Sequence, residues 1–539
     1  MSNGISRRDF LRGSAGFLVG AAAASAAGKT VGLAPRRPNV LFVFNDQLRA
    51  QALGYNGETN IATPNIDRLA RQGIVFTNAI STCPLCTPYR GMLQTGRYPS
   101  HTGLVLNWVD INPDERCLAE VFRDAEYDTG FIGKWHLSAG RLKLAGKHTV
   151  TKEDQQRVRE GIEAYLKQNA EPEYVPPGER RQGYDYWAAF NFHTAFRKAF
   201  YYRDTPERLI MPHYETDSET DMAIEYMSKR IHSERPFFVM VAPHPPHPPW
   251  RPEACPPGYL DKVKPVLDWR PNVEKERGSP DHDPRCYYAM TVNADDNIGR
   301  LMRFLDESGL AGNTIVVFTA DHGEMLGSHN RFNKMVPYEE AVNVPLIIRW
   351  PGRTPAGTRT DCLYTPVDHM PTLLSLAGIS VPDTADGMDL SRIVLGRPGT
   401  QRESTLMMNY VSHWDYFDSG TLWPEWRGVR TKSHTYVKWL KEGKEELYDN
   451  LADPYQMRNL AEGKTDAGML EKMRTRLKEL LAAAHDEFLP GTAYADWYND
   501  RRELVRTALG PRVRISGGRG VRTAELHKGN APGELVRRR

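Results

Sequence analysis

The sequence predicts an α/β fold: a largely parallel central sheet covered by helices on both faces, followed by a smaller α+β subdomain with an antiparallel sheet. Three observations predict it. Between residues 38 and 395, short continuous apolar runs alternate with segments of helical period. Beyond residue 395 this pattern gives way to a hairpin and a polar helix. The composition is that of a globular chain: 539 residues, 40% apolar and 25% charged, with Trp 11, Tyr 24 and Phe 18. Such usage excludes a disordered chain, a collagen and a coiled coil, and the length suits one large domain with a smaller one.

The chain opens with Ser6-Arg7-Arg8-Asp9-Phe10-Leu11-Arg12, then a weakly apolar Gly/Ala-rich run from Gly13 to Gly28. This resembles a twin-arginine export signal, with Ala24-Ser25-Ala26 as an A-x-A cleavage site. The run is shorter than the roughly 20 residues that span a bilayer. A signal peptide over residues 1–28 is expected, recognised by the twin-arginine export machinery. The mature protein is then periplasmic or secreted, with no transmembrane segment.

The body begins with Asn39-Val40-Leu41-Phe42-Val43-Phe44, an uninterrupted apolar run of the kind buried on both faces of a sheet. Thr63 to Gly73 reads as a short helix, with Thr63 as N-cap, Pro64 at the first helical position and Gly73 as the stop. Ile74-Val75-Phe76 resumes a strand. A second helix–strand pair runs through Leu118, Val121 and Phe122, then Thr129 to Ile132. A third joins a helix around Met222, Ile224, Tyr226 and Met227 to Pro236–Ala242, and a fourth joins Tyr287–Leu305 to Thr314–Thr319. The stretch from Arg141 to Arg203 lacks a clean period and reads as an insertion near the site. Farther on, Tyr436–Leu440 and Glu445–Tyr448 flank Gly443 as a hairpin, Asp453-Pro454 is a turn, and Ala467–Ala483 is a polar helix. No internal repeat is found. The predicted domains are 38–395 and 396–505, followed by a basic, disordered tail over 506–539.

The net charge of +3 hides a segregation. Residues 501–539 hold 11 basic and 3 acidic side chains, and residues 1–38 hold 6 and 1, so the body between them carries −10. An acidic body excludes nucleic acid as the main partner. Six cysteines in this length exclude a disulfide-built scaffold.

Four of the predicted strands end in residues suited to metal binding or catalysis. They end at Asn45-Asp46, at Gly133-Lys134-Trp135-His136, at Pro243-His244-Pro245-Pro246-His247 and at Asp321-His322-Gly323. A single aspartate after a strand is more often a cap or turn residue. Four such ends are another matter, because ligands of open α/β sheets bind at the carboxyl ends of strands. Cys83-x-x-Cys86 invites a redox reading, which the long sheet-and-helix prelude disfavours.

The segment Cys86-Thr87-Pro88-Tyr89-Arg90, with Thr95-Gly96 following, resembles the C-x-P-x-R signature of the type I sulfatases of the alkaline phosphatase superfamily. The resemblance covers most of residues 38–395, and Leu447-Tyr448-Asp449 to Asn459-Leu460-Ala461 resembles the family's C-terminal subdomain. It implies an alkaline-phosphatase-like α/β/α sandwich and a sulfuric ester hydrolase. It implies that Cys86 is converted to formylglycine by a formylglycine-generating enzyme. It assigns Asn45, Asp46, Cys86, Asp321 and His322 to one divalent metal, calcium first, with manganese or magnesium open. It assigns Cys86, Arg90, Lys134, His136, His247 and Lys334 to catalysis. Lys334 lies thirteen residues after Asp321, at the place of a sulfate-binding lysine.

Two positions depart from the family's pattern. Asn45 stands where many members carry an aspartate, and His322 where they carry an asparagine. The first removes a negative charge, and the second offers calcium a nitrogen where it prefers oxygen. The chemistry implied is attack by a formylglycine hydroxyl on sulfur, its proton taken by Asp321. His247 with Lys334 protonates the leaving oxygen, and His136 takes the second proton. His244 reads as a neighbour of the pocket. Trp108, Trp135 and Trp250 are candidate pocket walls or core. A phosphonate monoester or phosphodiester hydrolase is the alternative on this scaffold. A sulfated-glycan binding protein is the non-enzyme alternative, against which the complete residue set argues. Choline, aryl and polysaccharide sulfates all remain open as substrate, the aromatic-rich middle favouring a sulfated carbohydrate over a sulfated small molecule.

Overall fold

The computed structural model describes residues 37–107, 109, 111–138, 173–274, 283–410, 425–440, 443–463 and 466–489. The export signal, Trp108, the first part of the 141–203 stretch and the tail lie outside the described residues.

The apolar run that opens the body is strand β1 (Asn39–Asn45), buried along its whole length. The strands that follow are β2 (Ile74–Ala79), β3 (Asp128–Lys134), β4 (Tyr186–Phe190), β5 (Phe200–Tyr201), β6 (Leu209–Ile210), β7 (Phe237–Ala242), β8 (Thr314–Ala320), β9 (Leu346–Arg349) and β10 (Thr358–Tyr364). Among the described residues, eight of them form one sheet in the order β10-β2-β9-β8-β1-β7-β3-β4, while β5 and β6 make a separate ribbon. The sheet is mostly parallel, as expected. The departure is β9, which runs antiparallel to both β2 and β8. Continuous burial explains the apolar character of the central strands, since a sheet covered on both faces has no polar side.

Register fixes which strand ends meet. Asn45 pairs with Ala320 between β1 and β8, and Gly133 pairs with Ala242 between β3 and β7. With Val43 opposite Val241, the carboxyl ends of four strands therefore open at one edge.

The helices follow the expected positions, with one local correction. Pro64–Gln72 has Thr63 at its N-cap position, but no side-chain cap bond. The Thr63 hydroxyl instead donates to Asp67 at 3.0 Å and accepts from the Gly54 amide. The cap is supplied from afar: Asp295, on the long helix Pro284–Glu307, accepts the amides of Asn65 and Ile66 at 3.2 and 2.7 Å. A carboxylate from another helix satisfies the orphan amides that a local side chain was expected to take.

The second sheet is antiparallel, formed by β11 (Ser404–Asn409), β12 (Trp426–Thr431), β13 (His434–Trp439) and β14 (Glu445–Asp449) in that order. The predicted hairpin is β13–β14, and the predicted polar helix is Ala467–Ala483, which buries Leu470, Met473 and Leu477 on one stripe. The two sheets share an apolar cluster of Ile80, Val342 and Leu363 with Met407, Trp426, Val437 and Trp439. Arg430 crosses the same boundary to Glu339 and, at 3.0 Å, to Asn78. Cys255 and Cys286 form a disulfide, while Cys83, Cys86, Cys117 and Cys362 are free and buried. Among the described residues no helix is long and apolar enough to cross a membrane.

Candidate active site

Asp46 and Asp321 are the residues that follow β1 and β8, so the β1–β8 register sets them side by side. The Asp321 amide donates to Asn45 O at 3.2 Å, and the Asp46 amide donates to Pro243 O at 3.0 Å. Both carboxylates are fully buried. Cys86 is the first residue of the helix Cys86–Thr95, and Arg90 lies one turn on, on the same face. Thr87 anchors this turn: its amide donates to Asn107 Oδ1 at 2.8 Å and its hydroxyl donates to His136 O at 2.7 Å. Gly96, at φ 67°, closes the helix in a left-handed cap that glycine tolerates best.

Two further glycines are required by close approach. Gly133, at φ 99°, precedes Lys134, and a Cβ there would lie 2.5 Å from Ala242 O. A Cβ on Gly323, next to His322, would lie 1.9 Å from Glu340 O. The glycines of the G-K-x-H and D-H-G segments thus let neighbouring backbone press against the site.

The charges are paired through Asp46 Oδ2 and Asp321 Oδ2. Arg90 donates to Asp46 Oδ2 at 3.0 Å, to Asp321 Oδ2 at 3.1 Å and to the Lys134 carbonyl. Lys134 Nζ donates to Asp46 Oδ2 at 2.6 Å. Burial pushes the Asp46 carboxyl up, but Lys134, with His247, Arg90 and His322, outweighs it and holds the group well below the usual carboxylate range. Asp321 Oδ1 accepts the amides of Gln47 and His322 at 3.0 and 2.9 Å.

Asp46, Cys86, Asp321 and His322 each present one donor atom within 4.8 Å of the others. His322 Nδ1 lies 3.0 Å from Gly323 O, so that nitrogen carries the proton and Nε2 turns its lone pair inward. Nε2 lies 3.2 Å from Cys86 Sγ, 3.4 Å from Asp321 Oδ1 and 3.8 Å from Asp46 Oδ1. Asn45 Nδ2 donates to Pro245 O at 2.9 Å, which leaves Oδ1 buried without a hydrogen bond. Two carboxylates, an inward imidazole nitrogen and an orphaned amide oxygen fit a divalent cation. The Cys86 thiol is pushed up to about 11 by burial, then by Asp46.

The opposite side is built of histidines around an aromatic ring. Phe192, just past β4, has its ring centroid 5.0 Å from His136, 5.1 Å from His244 and 6.0 Å from His247, and Lys134 Nζ sits 4.7 Å from it. Burial, then Lys134, holds His136 well below its ordinary pKa, and burial, then Lys334, does the same to His247. His247 Nδ1 lies 2.7 Å from Pro248 O, which commits that N–H and directs proton transfer to Nε2. Trp250 Nε1 donates to Pro246 O at 2.8 Å and braces this proline-rich turn. Lys334 does not touch the carboxylates. Its Nζ donates to Gln47 Oε1, and Gln47 Nε2 donates to Glu324.

The sequence-predicted residues therefore fall into three groups. Asn45, Asp46, Cys86, Arg90, Lys134, Asp321 and His322 form one cluster. His136, His244 and His247 surround Phe192. Lys334 joins through Gln47. Trp135 is core, edge-on to Phe131 at 5.0 Å, and Trp250 packs on Tyr287 at 5.4 Å, so neither walls a pocket. Sequence reasoning missed Gln47, Phe192 and the buried pair Glu215 and Glu219. A second polar residue after the end of a buried strand was the available signal for Gln47.

Residues 38–379 match the sulfatase family model, and residues 327–483 match the model of the N-sulphoglucosamine sulphohydrolase C-terminal region. An ulvan-active sulfatase of Formosa agariphila is 35% identical over 475 residues, covering 86% of this chain and 85% of that protein. An endo-4-O-sulfatase of Bacteroides thetaiotaomicron is 29% identical, covering 86% and 96%. A solved Bacteroides thetaiotaomicron structure concerned with the metabolism of multiple glycosaminoglycans superposes with a TM-score of 0.72 at 27% identity, covering 84% and 97%. The chain belongs to the sulfatase family of the alkaline phosphatase superfamily and is a sulfuric ester hydrolase.

Proposed function

We propose that this protein is an exported sulfatase that hydrolyses sulfate esters of a carbohydrate, with residue 86 acting as formylglycine beside one divalent metal. The observation that carries this is the placement of Cys86 Sγ. It lies 3.2 Å from His322 Nε2 and 3.9 Å from both Asp46 Oδ1 and Lys134 Nζ, at the start of a helix that also carries Arg90. The names of the ulvan-active and endo-4-O-sulfatase relatives support a sulfated glycan over choline or aryl sulfate.

Formylglycine, once hydrated, supplies a hydroxyl nucleophile and a second hydroxyl whose deprotonation releases sulfate. The metal, held by Asn45, Asp46, residue 86, Asp321 and His322, supplies Lewis-acid polarisation; calcium is the first expectation, with manganese and magnesium as alternatives. Arg90, Lys134 and Lys334 complete the positive field for the sulfate oxygens. Asp321 is the carboxylate for the nucleophile's proton. His247 gives a proton to the leaving oxygen from Nε2, and its lowered proton affinity makes it a strong donor once charged. His136, also disfavoured as a cation, is the base for the second hydroxyl. The Cys255–Cys286 disulfide supports an oxidising compartment reached through Arg7-Arg8.

Protein co-expressed with a formylglycine-generating enzyme is expected to show aldehyde oxygen in place of the Cys86 thiol by peptide mass, and to turn over sulfated oligosaccharides best in a panel with choline sulfate, aryl sulfate, a phosphonate monoester and a phosphodiester. Full activity with unmodified Cys86 sinks the mechanism. Dominant phosphonate or diester turnover hands the site to the alternative chemistry. For export, replacing Arg7 and Arg8 by lysine should trap precursor in the cytoplasm, and undiminished periplasmic yield would refute the signal.

A further inference from the structure

Behind the histidines, four titratable side chains share one buried space. Glu215 opens the helix Glu215–Ser228, and Glu219 lies one turn on, on the same face. Glu215 Oε1 accepts the His244 amide at 3.2 Å. Among the described residues, Glu215 Oε2 has no hydrogen-bond partner, and it faces His193 Nδ1 at 3.6 Å. Both Glu219 oxygens are buried without a hydrogen bond among the described residues, and Oε1 lies against Gly133.

No cation neutralises these acids among the described residues. His193 Nδ1 accepts the Ala195 amide at 3.3 Å and Nε2 donates to Phe200 O at 3.0 Å, so its ring is a neutral Nε2–H tautomer. Lys134, the fixed positive charge that acts on Glu215, is committed to Asp46. A buried carboxylate without a partner takes up a proton. Burial accordingly pushes Glu215 up to about 8, against the His244 amide and Lys134 and with help from Asp46. Glu219 is held well above its ordinary value by burial, then by Glu215.

Building on the acid role given to His247, we propose that Glu215 is a positioning residue held as a neutral carboxylic acid, whose carbonyl oxygen fixes the His244–His247 turn. The turn is closed by the His247 amide donating to His244 O at 3.1 Å, so the contact that holds His244 also aims His247. The two rings lie 4.6 Å apart. Neutrality matters: a carboxylate here would stabilise the imidazolium forms of His193, His244 and His247 and blunt His247 as a donor. A neutral acid holds the same backbone without that field.

The test compares Glu215→Gln, which keeps the carbonyl acceptor and carries no charge, with Glu215→Ala, which removes the acceptor. Glu215→Ala is expected to lower kcat on alkyl or sugar sulfates by about tenfold to a hundredfold, the scale of a small misplacement, and on nitrophenyl sulfate much less. Glu215→Gln recovers most of that loss. The second readout is thermal unfolding. A carboxyl raised from its ordinary value near 4.5 to about 8 favours the folded state at low pH and loses that contribution as pH rises through this window. Glu215→Gln should therefore melt with wild type at pH 5 and above it at pH 8.5. The proposal is overturned if Glu215→Gln fails to fold, if it loses as much kcat as Glu215→Ala, or if the melting gap does not open with pH. An equal loss across leaving groups for Glu215→Ala, while His247→Ala keeps its contrast, also overturns it. If His247→Ala shows no contrast, the acid role has failed, and the melting comparison alone decides whether Glu215 is neutral.

Discussion

The two walls of the site are built on opposite electrical principles. On the metal-facing wall, the Arg90 guanidinium and the Lys134 ammonium meet Asp46 Oδ2, Asp321 Oδ2 or a backbone carbonyl within hydrogen-bond reach. On the other wall, His136, His244 and His247 stand around Phe192 with their proton affinity lowered, backed by two acids that have no cationic partner among the described residues. The difference follows from the work each wall does. Charge that must stay in place through turnover needs buried ion pairs, whose breaking is costly. A proton that must leave and return needs a group close to neutrality, which desolvation provides.

The largest expected effect tests the first wall. Asp46→Ala removes the carboxylate shared by Arg90 and Lys134 and takes one ligand from the metal cluster. Bound metal should fall in elemental analysis, activity should vanish on every substrate, and stability should drop by about 3–5 kcal/mol, the usual cost of orphaning a buried charge. Retention of metal and of the melting temperature would show that this wall is not a charge-locked metal site.

His247→Ala should be smaller and selective, which sharpens the contrast. The metal is expected to stay. Rates on alkyl or sugar sulfates should fall by about two to four decades, the usual worth of general acid catalysis. A nitrophenyl sulfate should lose far less, because its leaving group departs as a stable anion. A uniform loss over leaving groups of graded acidity passes the acid role to Lys334.

The two walls also differ in how much the sequence discloses. The first wall sits on strands whose apolar runs are unbroken, so the residues that end them, Asn45-Asp46 and Asp321-His322, stand out. Cys86 and Arg90 are close in sequence on one helix. The second wall is assembled by tertiary contact. Phe192 follows β4 at the end of a stretch with no period, and Glu215 reaches His244 from 29 residues away. Gln47 needs φ 63° to bring its amide to Asp321, a conformation that the residue type does not announce. The direction of β9 was equally hidden: Leu346–Arg349 is too short for local pattern to set it against β2 and β8. At Thr63 a favourable capping residue was present, yet Asp295 from a distant helix took the amides.

The smallest expected effect lies where the walls are tied together. Lys334 reaches the site through Gln47, and the next residue, Met335, is strapped from two sides. Its amide donates to Pro84 O at 3.1 Å, two residues before Cys86. Its carbonyl accepts the Trp426 indole N–H at 3.0 Å from the second sheet. Trp426→Phe keeps the apolar contact with Val437 and Trp439 but leaves that carbonyl unpaired. Losing one neutral hydrogen bond is worth ~1 kcal/mol, so KM for a sulfate ester should rise by about fivefold. The leaving-group dependence should not move, because His247 is held from the other side by Glu215. A double-mutant cycle with Lys334→Ala separates a brace on the lysine from general loosening. If Trp426 acts through Lys334, its substitution adds nothing once the lysine is gone. Full additivity would mean that the second sheet steadies the nucleophile segment through Pro84 instead, and the tie between the two walls would then run through Cys86.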